Sequence, residues 1–515
     1  MLEQSLKEQL QDIFSKIEIP IELKMYKSNH PKQQELKDFL GDLAEVSKMI
    51  SLSFYEQDSS IPTFHLYSNG KKSGITYQGI PTGHEFSSLV LSILNLGGLG
   101  KFPDNAIQNR IRNIKGPIHL KTYISLECEN CPEVVQSLNL MAIIHPSFKH
   151  EMIDGALAQD EVKQLGIQGV PSVMHGEHLL ISGKTDFLKL LETLEQNFGS
   201  EILSPKEEQG HAKNYDVVVA GGGPAGVAAA IYSARKGLSV ALVAPKIGGQ
   251  VLDTKGIENF IATSYVEGPQ LANSYQEHLR KYKVDVYEHR KIVNLQNEDL
   301  KKIILDSNEI LLSKSLIVAT GAQWRKLGIP GESEYIGRGV AFCPHCDGPY
   351  YAGKDVAVIG GGNSGIEAAI DLAGMVKSVT VFEFASQLKA DQVLVDKLAK
   401  LKNAKVVVSA RTKTIVGDGK KVISLVYENL LSKKMEQMDL DGVFIQIGLI
   451  PNSDVFKNLL EVNRMGEIVV DGKGRTSVRG IYAAGDVTTT PFKQIVIATG
   501  EGAKAALTSF EELMA

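Results

Sequence analysis

The four cysteines of the chain form two Cys-x-x-Cys pairs, and their spacing points to redox chemistry. The pairs are Cys128/Cys131 and Cys343/Cys346, and no cysteine is left over in 515 residues. Two cysteines at this spacing can close a small disulfide that two electrons open. A secreted disulfide scaffold would need more cysteines in a shorter chain. We therefore expect a soluble, cytoplasmic protein whose thiols do chemistry.

The second pair is followed directly by an acidic residue. Asp347 comes after Cys346 and offers a carboxyl group for the proton that thiol chemistry releases. His345, between the two cysteines, makes zinc the competing interpretation. A tetrahedral zinc site needs further ligands, and the other cysteine pair is roughly 200 residues away. We therefore predict disulfide chemistry here and no metal site.

The first pair stands where a predicted strand becomes a helix that starts at Pro132. A helix N-terminus lowers the pKa of a nearby thiol, so Cys128 is the predicted nucleophile, as in thioredoxin-like proteins. Glu129 acts in the opposite direction, because like-charge repulsion raises the thiol pKa. The Gly-Val-Pro segment 169–171 would supply a cis-proline loop beside Cys128 and Cys131, with an ordinary trans turn as the alternative.

Two glycine triplets have the G-x-G-x-x-G spacing, each between a predicted strand and a predicted helix. The first triplet is Gly221, Gly223 and Gly226, with Pro224 and Ala225 between its last two glycines. The second is Gly360, Gly362 and Gly365, with Asn363 and Ser364 in the same place. In such motifs the first glycine allows a tight turn, the second lets the backbone approach a pyrophosphate, and the third allows close helix packing. Two motifs in this context predict two dinucleotide sites rather than two glycine-rich turns.

The residues beyond each triplet distinguish the two ligands. Glu383 ends a predicted strand about 20 residues after the second triplet, where an acid accepts the ribose 2′-hydroxyl of a dinucleotide. No arginine cluster adjoins it for a 2′-phosphate, which favours NADH over NADPH. The stretch 243–246 after the first triplet contains no acid, so the ribose contact of that site is unassigned.

Two further motifs belong to the first nucleotide site. Thr320 and Gly321 end one strand-like run, and Gly485 and Asp486 follow another. A Gly-Asp pair alone is more often a turn. Beside a glycine triplet, however, its carboxylate can reach a polyol such as the ribityl chain of FAD.

Composition excludes several classes of protein. Lys plus Arg is 55 and Asp plus Glu is 60, a net charge of -5, which argues against nucleic-acid binding. The 43% hydrophobic and 22% charged residues are typical of globular domains. No stretch reaches the roughly 18 apolar residues of a membrane span. A polar segment, 201–214, predicts a linker between about 200 and about 300 residues.

The first 200 residues contain a weak repeat. The first copy has a strand pattern starting at Ile21, a helical pattern over 33–50 and Gly-Ile-Pro at 79–81. The second copy has a strand pattern over 118–126, a helix from Pro132 and Gly-Val-Pro at 169–171. The repeat predicts a duplicated α/β fold in which only the second copy has cysteines.

These motifs resemble two related families. The residues after the linker resemble thioredoxin reductase through 221–226, Gly248-Gly249-Gln250, the 343–348 segment, 360–365 and Gly485-Asp486. The whole chain resembles the flavoprotein (F) component family of bacterial alkyl hydroperoxide reductase. The resemblance implies an α/β fold with two Rossmann-like domains, for FAD and NAD, after a tandem thioredoxin-like domain. The implied boundaries are 1–199 for the tandem domain, 200–213 for the linker, 214–326 and 447–515 for the FAD domain, and 327–446 for the NAD domain with the second cysteine pair.

The resemblance also implies an electron path and a partner. Electrons would pass from NADH to FAD, to Cys343/Cys346, to Cys128/Cys131 and then to a peroxiredoxin, the C component of the alkyl hydroperoxide reductase system. Cys346 would face the flavin and Cys343 would attack the first pair, in which Cys128 attacks the partner and Cys131 resolves. Asp347 would donate a proton. The implied FAD contacts include Gln250, Asn259, Gln494 and Ile495, the implied assembly is a homodimer, and Glu85 is implied beside the first cysteine pair, with a solvated surface acid as the alternative.

The sequence also predicts a domain rotation and leaves two alternative functions open. The dithiol and the nicotinamide must both use the flavin, so we expect the NAD domain to rotate about hinges near 327–331 and 442–448. A thioredoxin reductase or a hydrogen-peroxide-forming NADH oxidase is the alternative enzyme. A nucleotide-sensing binding module with structural cysteine clamps is the alternative of another class.

Overall fold

The computed structural model describes residues 2–167, 169–183, 185–200, 212–254, 256–342 and 344–515, without the side chains of Asp253, His345 and Cys346. The chain divides into two compact units, Met1–Glu208 and Gln209–Ala515. Most of the predicted linker, 201–211, lies outside the described residues, as does Cys343. Among the described residues, the structure contains no helix that is both long enough and apolar enough to cross a membrane.

The first unit alternates helices with strands. Its helices are α1 (Gln4–Phe14), α2 (Gln33–Val46), α3 (Phe86–Leu96), α4 (Asn105–Arg112), α5 (Cys131–Ile144), α6 (Gln159–Gln164) and α7 (Phe187–Phe198). Its strands are β1 (Ile21–Lys27), β2 (Ile50–Asp58), β3 (Thr63–Ser68), β4 (Lys71–Gln78), β5 (Ile118–Ile124), β6 (Phe148–Asp154), β7 (Ser172–His175) and β8 (His178–Ser182). A single 3₁₀ turn, Gly83–Glu85, leads directly into α3.

The eight strands form one sheet whose two halves repeat the same arrangement. The order is β2-β1-β3-β4-β6-β5-β7-β8. β1 runs parallel to β2 and antiparallel to β3, and β5 runs parallel to β6 and antiparallel to β7. A parallel pairing of β4 with β6 joins the halves. The repeat predicted from the sequence therefore corresponds to two sheet halves of the same strand order.

The apolar pattern explains these elements, with one difference from the prediction. Ile21, Leu23 and Met25 alternate with more exposed residues along β1 and enter the core. The helical pattern over 33–50 is too long, because α2 ends at Val46 and Ser47 is extended. Ile50 instead opens β2, where it pairs with Ile21, so pairing between strands determines the end of the helix.

The second unit contains the nucleotide motifs. Its helices are α8 (Pro224–Arg235), α9 (Gly268–Arg280), α10 (Pro344–Asp347), α11 (Asn363–Ala373), α12 (Gln392–Ala399) and α13 (Ile495–Met514). Its strands are β9 (Lys213–Ala220), β10 (Val240–Ala244), β11 (Val284–Glu288), β12 (Ile292–Asn297), β13 (Lys301–Leu305), β14 (Ile310–Val318), β15 (Ala322–Trp324), β16 (Val340–Ala341), β17 (Asp355–Ile359), β18 (Ser378–Phe382), β19 (Ala404–Val407), β20 (Ala410–Gly417), β21 (Val422–Asn429), β22 (Lys434–Asp439), β23 (Gly442–Ile445), β24 (Leu449–Pro451) and β25 (Ile481–Ala483).

Two parallel cores organise this unit. The first sheet has the order β11-β10-β9-β14-β13-β12, with β25 also paired to β14, and β11, β10, β9, β14 and β25 run parallel. The second has the order β16-β23-β17-β18-β19 and is parallel throughout. Both are Rossmann-like, since a glycine triplet and a helix follow the central strands β9 and β17. β9 begins at Lys213, one residue inside the predicted linker, because Lys213 pairs with Leu311.

Short segments connect the two cores. β15 pairs with β24 antiparallel, beside both predicted hinges. In the first hinge, the buried carboxylate of Glu332 accepts the backbone N–H groups of Leu327 and Gly328 at 2.8 and 2.7 Å. The second predicted hinge, 442–448, overlaps β23, so four of its residues lie in a strand. The rotation itself stays a prediction.

Candidate active site

The first glycine triplet forms a tight loop between β9 and α8. Gly221 has φ +118°, and a Cβ there would collide with the carbonyl oxygen of Ala319. A Cβ on Gly226 would collide with the Gly221 carbonyl, so this glycine lets α8 approach the loop. Gly223 has no heavy atom within 4 Å of the position of a Cβ. These are the three roles expected of the motif, with open space where a pyrophosphate would lie.

The second triplet repeats this geometry between β17 and α11. Gly360 has φ +122° and lies against the carbonyl of Gln446. A Cβ on Gly365 would collide with the Gly360 carbonyl, and Gly362 again faces open space. Each helix therefore directs its positive N-terminal end toward a space that suits a phosphate.

The predicted FAD residues gather at one edge of the first sheet although they are far apart in sequence. A Cβ on Gly485 would touch the Cβ of Ala225 at 2.9 Å, which places the Gly-Asp turn against the first triplet. The N–H of Thr320 lies 3.0 Å from the position of a Cβ on Gly221. Pro224 occupies the first turn of α8, and Gly321 follows Thr320 with φ +67°.

Asn259 and Gln494 also meet in this region. The Asn259 side-chain Nδ2 donates to Gln494 Oε1 at 3.1 Å, across 235 residues of sequence. Gln494 is the N-cap residue of α13, which begins at Ile495. The structure thus brings together two predicted flavin contacts from opposite ends of the unit.

Two observations test whether the residues present fit FAD. The side-chain Nε2 of Gln250 is buried and has no hydrogen-bond partner among the described residues, so this donor is available to an acceptor such as a flavin oxygen or nitrogen. Burial raises the pKa of Asp486, an effect that Lys493 partly offsets. A buried carboxyl of this kind gains from hydroxyl donors such as those of a ribityl chain. Both features fit the predicted cofactor.

An acid missed by the sequence analysis stands beside the unassigned ribose position. Ala244, at the end of β10, pairs in register with Glu288 on β11. Glu288 Oε1 accepts the N–H of Ile247 at 3.2 Å, so its carboxylate lies over the loop that follows β10. The residues that follow the triplet give no signal for this acid, because it comes from the neighbouring strand.

The second nucleotide site contains Glu383 where the sequence predicts it. The Glu383 carboxylate accepts the N–H of Gly361 at 2.6 Å and that of Ala385 at 2.7 Å. Asn363 makes a reciprocal pair with Asp391, through Nδ2 to Oδ2 at 2.9 Å and through the Asp391 N–H to Oδ1 at 2.8 Å. Ser364 is exposed at the start of α11. The Glu383 carboxylate is therefore hydrogen-bonded to the glycine loop of this site.

An arginine that is distant in sequence also approaches this site. The Arg411 guanidinium lies 5.0 Å from the ring centre of Phe384, the residue after Glu383. Its Nη1 is 3.8 Å from a carboxylate oxygen of Glu428. No arginine cluster adjoins Glu383 along the sequence, whereas the fold brings one arginine near.

In the first unit, Cys128 and Cys131 form a disulfide with Cα atoms 5.5 Å apart. Cys131 is the first residue of α5 and is fully buried, whereas Cys128 is partly exposed. The Cys128 Sγ lies 3.9 Å from the carbonyl oxygen of Val170, and the Val170–Pro171 bond is cis. The predicted cis-proline loop is therefore present beside the disulfide.

The acid Glu85 belongs to the interior rather than the surface. It is fully buried in the Gly83–Glu85 turn, which packs against α5, and the His84 N–H donates to Leu126 two residues before Cys128. Neither carboxylate oxygen has a partner of ordinary hydrogen-bond geometry among the described residues. Burial raises the pKa of Glu85 to about 7, and Ser88 offsets part of that rise. The alternative of a solvated surface acid is wrong.

The buried carboxyl should make the stability of this unit depend on pH. The folded-state pKa of Glu85, about 7, lies above the ordinary 4.5, so the folded chain binds the proton more tightly. The stabilisation is complete below pH 4.5 and is lost as the pH rises through 7, a loss of roughly 3 kcal/mol. We expect Glu85→Gln to remove this dependence.

This prediction can be checked by urea unfolding at pH 5 and pH 8, with hydrogen–deuterium exchange of the α3 and α5 peptides as the readout. The exposed Glu127→Gln is the matched control and should behave as the unsubstituted chain does. An equal pH dependence in Glu85→Gln would contradict the assignment.

The second cysteine pair is less fully described. Cys343 and the side chain of Cys346 lie outside the described residues, so their pairing stays a prediction. Asp347 is partly buried at the end of α10. Burial raises the pKa of Tyr351 to about 12, and the negative charge of Asp347 adds to the rise. Among the described residues there is no cluster of side chains that could hold a metal ion.

Comparisons with known proteins show the family of the chain. The family model described as pyridine nucleotide-disulphide oxidoreductase matches residues 215–502. The alkyl hydroperoxide reductase F protein of Pseudomonas putida is 46% identical, covering 100% of this chain and 99% of its own. The protein of that name from Escherichia coli K12 is 43% identical with the same coverage. A Bacillus subtilis protein named NADH dehydrogenase is 44% identical, also covering 100% of this chain and 99% of its own.

Solved structures match more than half of the chain. Thioredoxin reductase from Streptococcus pyogenes is 36% identical with a TM-score of 0.56, covering 58% of this chain and 98% of its own. Thioredoxin reductase from Giardia duodenalis is 30% identical with a TM-score of 0.57, covering 59% and 100%. The fold and site therefore define an NAD(P)H-dependent FAD disulfide oxidoreductase. Within that class, the chain belongs to the family of alkyl hydroperoxide reductase F proteins, as the resemblance predicted.

Proposed function

We propose that this protein uses NADH to reduce a peroxiredoxin, the C component of the alkyl hydroperoxide reductase system, which in turn reduces alkyl hydroperoxides and hydrogen peroxide. The observation that carries the proposal is the disulfide Cys128–Cys131 in the first unit. A reductase body like that of thioredoxin reductase is joined here to a unit with its own disulfide, at the start of α5 and beside a cis-proline. The sheet of that unit has two halves of the same strand order, and we assign the unit to a tandem thioredoxin-like fold.

Each residue then has a chemical task. When bound, FAD would accept a hydride from NADH and supply two electrons to the Cys343/Cys346 disulfide. Cys343 as thiolate then attacks the Cys128/Cys131 disulfide, forming a mixed disulfide, and Cys346 closes the ring again. The reduced pair gains two electrons and two protons in this exchange. Asp347 is the proposed proton donor near the second pair, and a cytoplasmic homodimer is the proposed form.

The exposure of the first pair matches its proposed roles. The partly exposed Cys128 can attack the disulfide of the partner, whereas the buried Cys131 can reach only the mixed disulfide that Cys128 forms. The attacking sulfur lies at a helix N-terminus, which favours the thiolate. Glu85, buried beside this helix with a pKa of about 7, is the proposed acceptor of the proton that leaves the thiol.

Stopped-flow reduction of the flavin by NADH, with and without the peroxiredoxin, tests the function. We expect NADH to bleach the flavin absorbance and peroxide consumption to require the peroxiredoxin. Rapid oxygen consumption without the partner would instead support a peroxide-forming NADH oxidase, an outcome that the relative named NADH dehydrogenase makes worth measuring. An unbleached flavin would support the nucleotide-sensing module.

Glu288 is the carboxylate we propose for the ribose of FAD. Its side chain lies over the loop after β10. The stretch 243–246, which leads into this loop, contains no acid of its own. We expect Glu288→Gln to weaken FAD binding about 10-fold, since a hydrogen bond to a charged acceptor contributes roughly 1.5 kcal/mol. Fluorescence titration of the apoprotein with FAD measures this. Glu298→Gln, which changes an acid in the β12–β13 turn, is the control, and equal affinities would remove Glu288 from the site.

A further inference from the structure

A row of buried polar side chains lies between the two halves of the first unit. Glu85, in the turn before α3, shares one face with Ser88 and Ser92 of α3. Asn139 lies on α5, two helical turns after Cys131, and both are buried. Gln136 of α5 bonds Ser88 of α3, and Asn139 bonds Ser92 one turn further along both helices. The acid and the cysteine therefore stand at the same end of this interface, and the polar row continues from there into the core.

The row is held by a continuous set of hydrogen bonds. Asn139 Nδ2 donates to the Tyr77 hydroxyl and to Ser92 Oγ, each at 3.0 Å, and Tyr77 lies 3.0 Å from Ser92 Oγ. The Asn139 Oδ1 is 2.6 Å from His150 Nδ1, and His150 Nε2 is 2.7 Å from the Thr122 hydroxyl. All five side chains are buried. We call this set the interhalf network.

The network has a single arrangement of its protons. Ser92 donates its hydroxyl proton to the Ser88 carbonyl at 2.8 Å, so Tyr77 must donate to Ser92. Asn139 Oδ1 can only accept, so His150 carries its proton on Nδ1 and accepts at Nε2 from Thr122. Burial lowers the pKa of His150 to about 3, so it remains neutral at physiological pH. Such a fully satisfied network is rigid, and removing one member leaves a buried group unpaired.

We propose that Asn139, acting with Tyr77, Ser92 and His150, is a positioning residue that fixes α3 against α5 and so sets the water-free surroundings of Glu85 beside the Cys128/Cys131 disulfide. The inference rests on the proposed role of Glu85 in thiol chemistry. It extends that role to residues two turns away, drawn from both halves of the unit.

The charge of Glu85 already reaches this network. Burial raises the pKa of Tyr77, and the negative charge of Glu85 adds to the rise. Other titratable groups on the surrounding elements include His84 in the preceding position, Glu133 in the first turn of α5 and the cysteine pair itself. The strand β6 adds Lys149, Glu151 and Asp154, and β4 adds Lys71 and Lys72. Loosening the network should admit water to Glu85, which favours the ionised carboxylate and moves its pKa toward the ordinary value.

The test measures the pH dependence of Cys128 alkylation by iodoacetamide in the full, dithiothreitol-reduced chain, read at Cys128 by mass spectrometry. We expect Tyr77→Phe to move the pH midpoint assigned to Glu85 at least about 0.5 pH unit toward acid, and Asn139→Ala to move it further. Ser137→Ala is the matched control, because this buried hydroxyl on the same helix bonds only the Glu133 carbonyl of α5 among the described residues and should leave the midpoint unchanged.

Two outcomes would overturn the inference. One is a midpoint that Tyr77→Phe leaves unchanged, which decides the matter even where Asn139→Ala does not fold. The other is an equal shift in Ser137→Ala, which would indicate general loosening. In a Glu85→Gln background the shift caused by Tyr77→Phe should vanish. Because the assay uses neither NADH nor a peroxiredoxin, it stands apart from the test of the proposed function.

Discussion

The double variant Cys128→Ser/Cys131→Ser should lose more than about 100-fold of its peroxiredoxin reduction while NADH still bleaches its flavin at the original rate. The expected loss is this large because the thiolate is the nucleophile of the exchange and a serine hydroxyl cannot replace it. The pair lies in the first unit, whereas both glycine triplets lie in the second, so flavin reduction should not depend on it.

This result is measured by peroxide consumption in the presence of the peroxiredoxin and by stopped-flow flavin absorbance in its absence. A small disulfide reagent that reacts directly with Cys343/Cys346 serves as the internal control and should be reduced as before. Peroxiredoxin reduction that survives the double substitution would disprove the path through Cys128 and support the thioredoxin reductase alternative.

The second large effect is expected from one methyl group at each nucleotide loop. Gly223 and Gly362 have no heavy atom within 4 Å of the position of a Cβ, and their φ values of -75° and -85° suit any L residue. Alanine at either position should therefore fit without steric strain, and the loss of a glycine N-cap should lower the melting temperature by only a few degrees. A pyrophosphate that approaches this backbone would collide with the methyl group, so we expect Gly362→Ala to weaken NADH binding and Gly223→Ala to weaken FAD binding, each by about 10- to 100-fold, about 1.4 to 2.7 kcal/mol.

Isothermal titration with NADH and fluorescence titration of the apoprotein with FAD measure the two affinities separately. Gly374→Ala is the control, since its Cβ would meet only the Asp371 carbonyl at 3.4 Å, at the far end of α11 from the loop. If Gly362→Ala released FAD and Gly223→Ala did not, the assignment of the two sites would be reversed. Unchanged affinities in both variants would mean that neither loop binds a pyrophosphate.

The sequence predicted those parts of the site whose geometry is local. A glycine triplet between a strand and a helix determines its own loop, and the structure shows that loop twice, with the open position at Gly223 and again at Gly362. The position of Cys128 before a helix was predicted for the same reason. The cis bond between Val170 and Pro171 was instead expected from the likeness to thioredoxin-like proteins, with a trans turn as the alternative. The family and the class of enzyme followed from the order of these motifs and are confirmed by the comparisons.

Contacts between distant segments could not be predicted in this way. Glu288 reaches the loop after β10 because β11 pairs with β10, and Arg411 approaches Phe384 through the start of β20. The spacing of residues along the sequence does not indicate either contact. The end of α2 was misplaced because pairing of Ile50 with Ile21 overrides the helical pattern. Asn139 was not singled out at all, since an isolated asparagine in an apolar helix has no signature.

The two halves of the first unit share one strand order but no longer share one chemistry. The cysteine-free half has neither thiol, and its Gly-Ile-Pro segment has no cis bond among the described residues. It nevertheless supplies Glu85, Ser88, Ser92 and Tyr77 to the surroundings of the other half's disulfide. The half without cysteines therefore contributes side chains to the redox site of the other half, although it has no disulfide of its own. We therefore expect the two halves to be matched to each other. Replacing one half alone with that of a relative should lower activity even where the cysteines are kept.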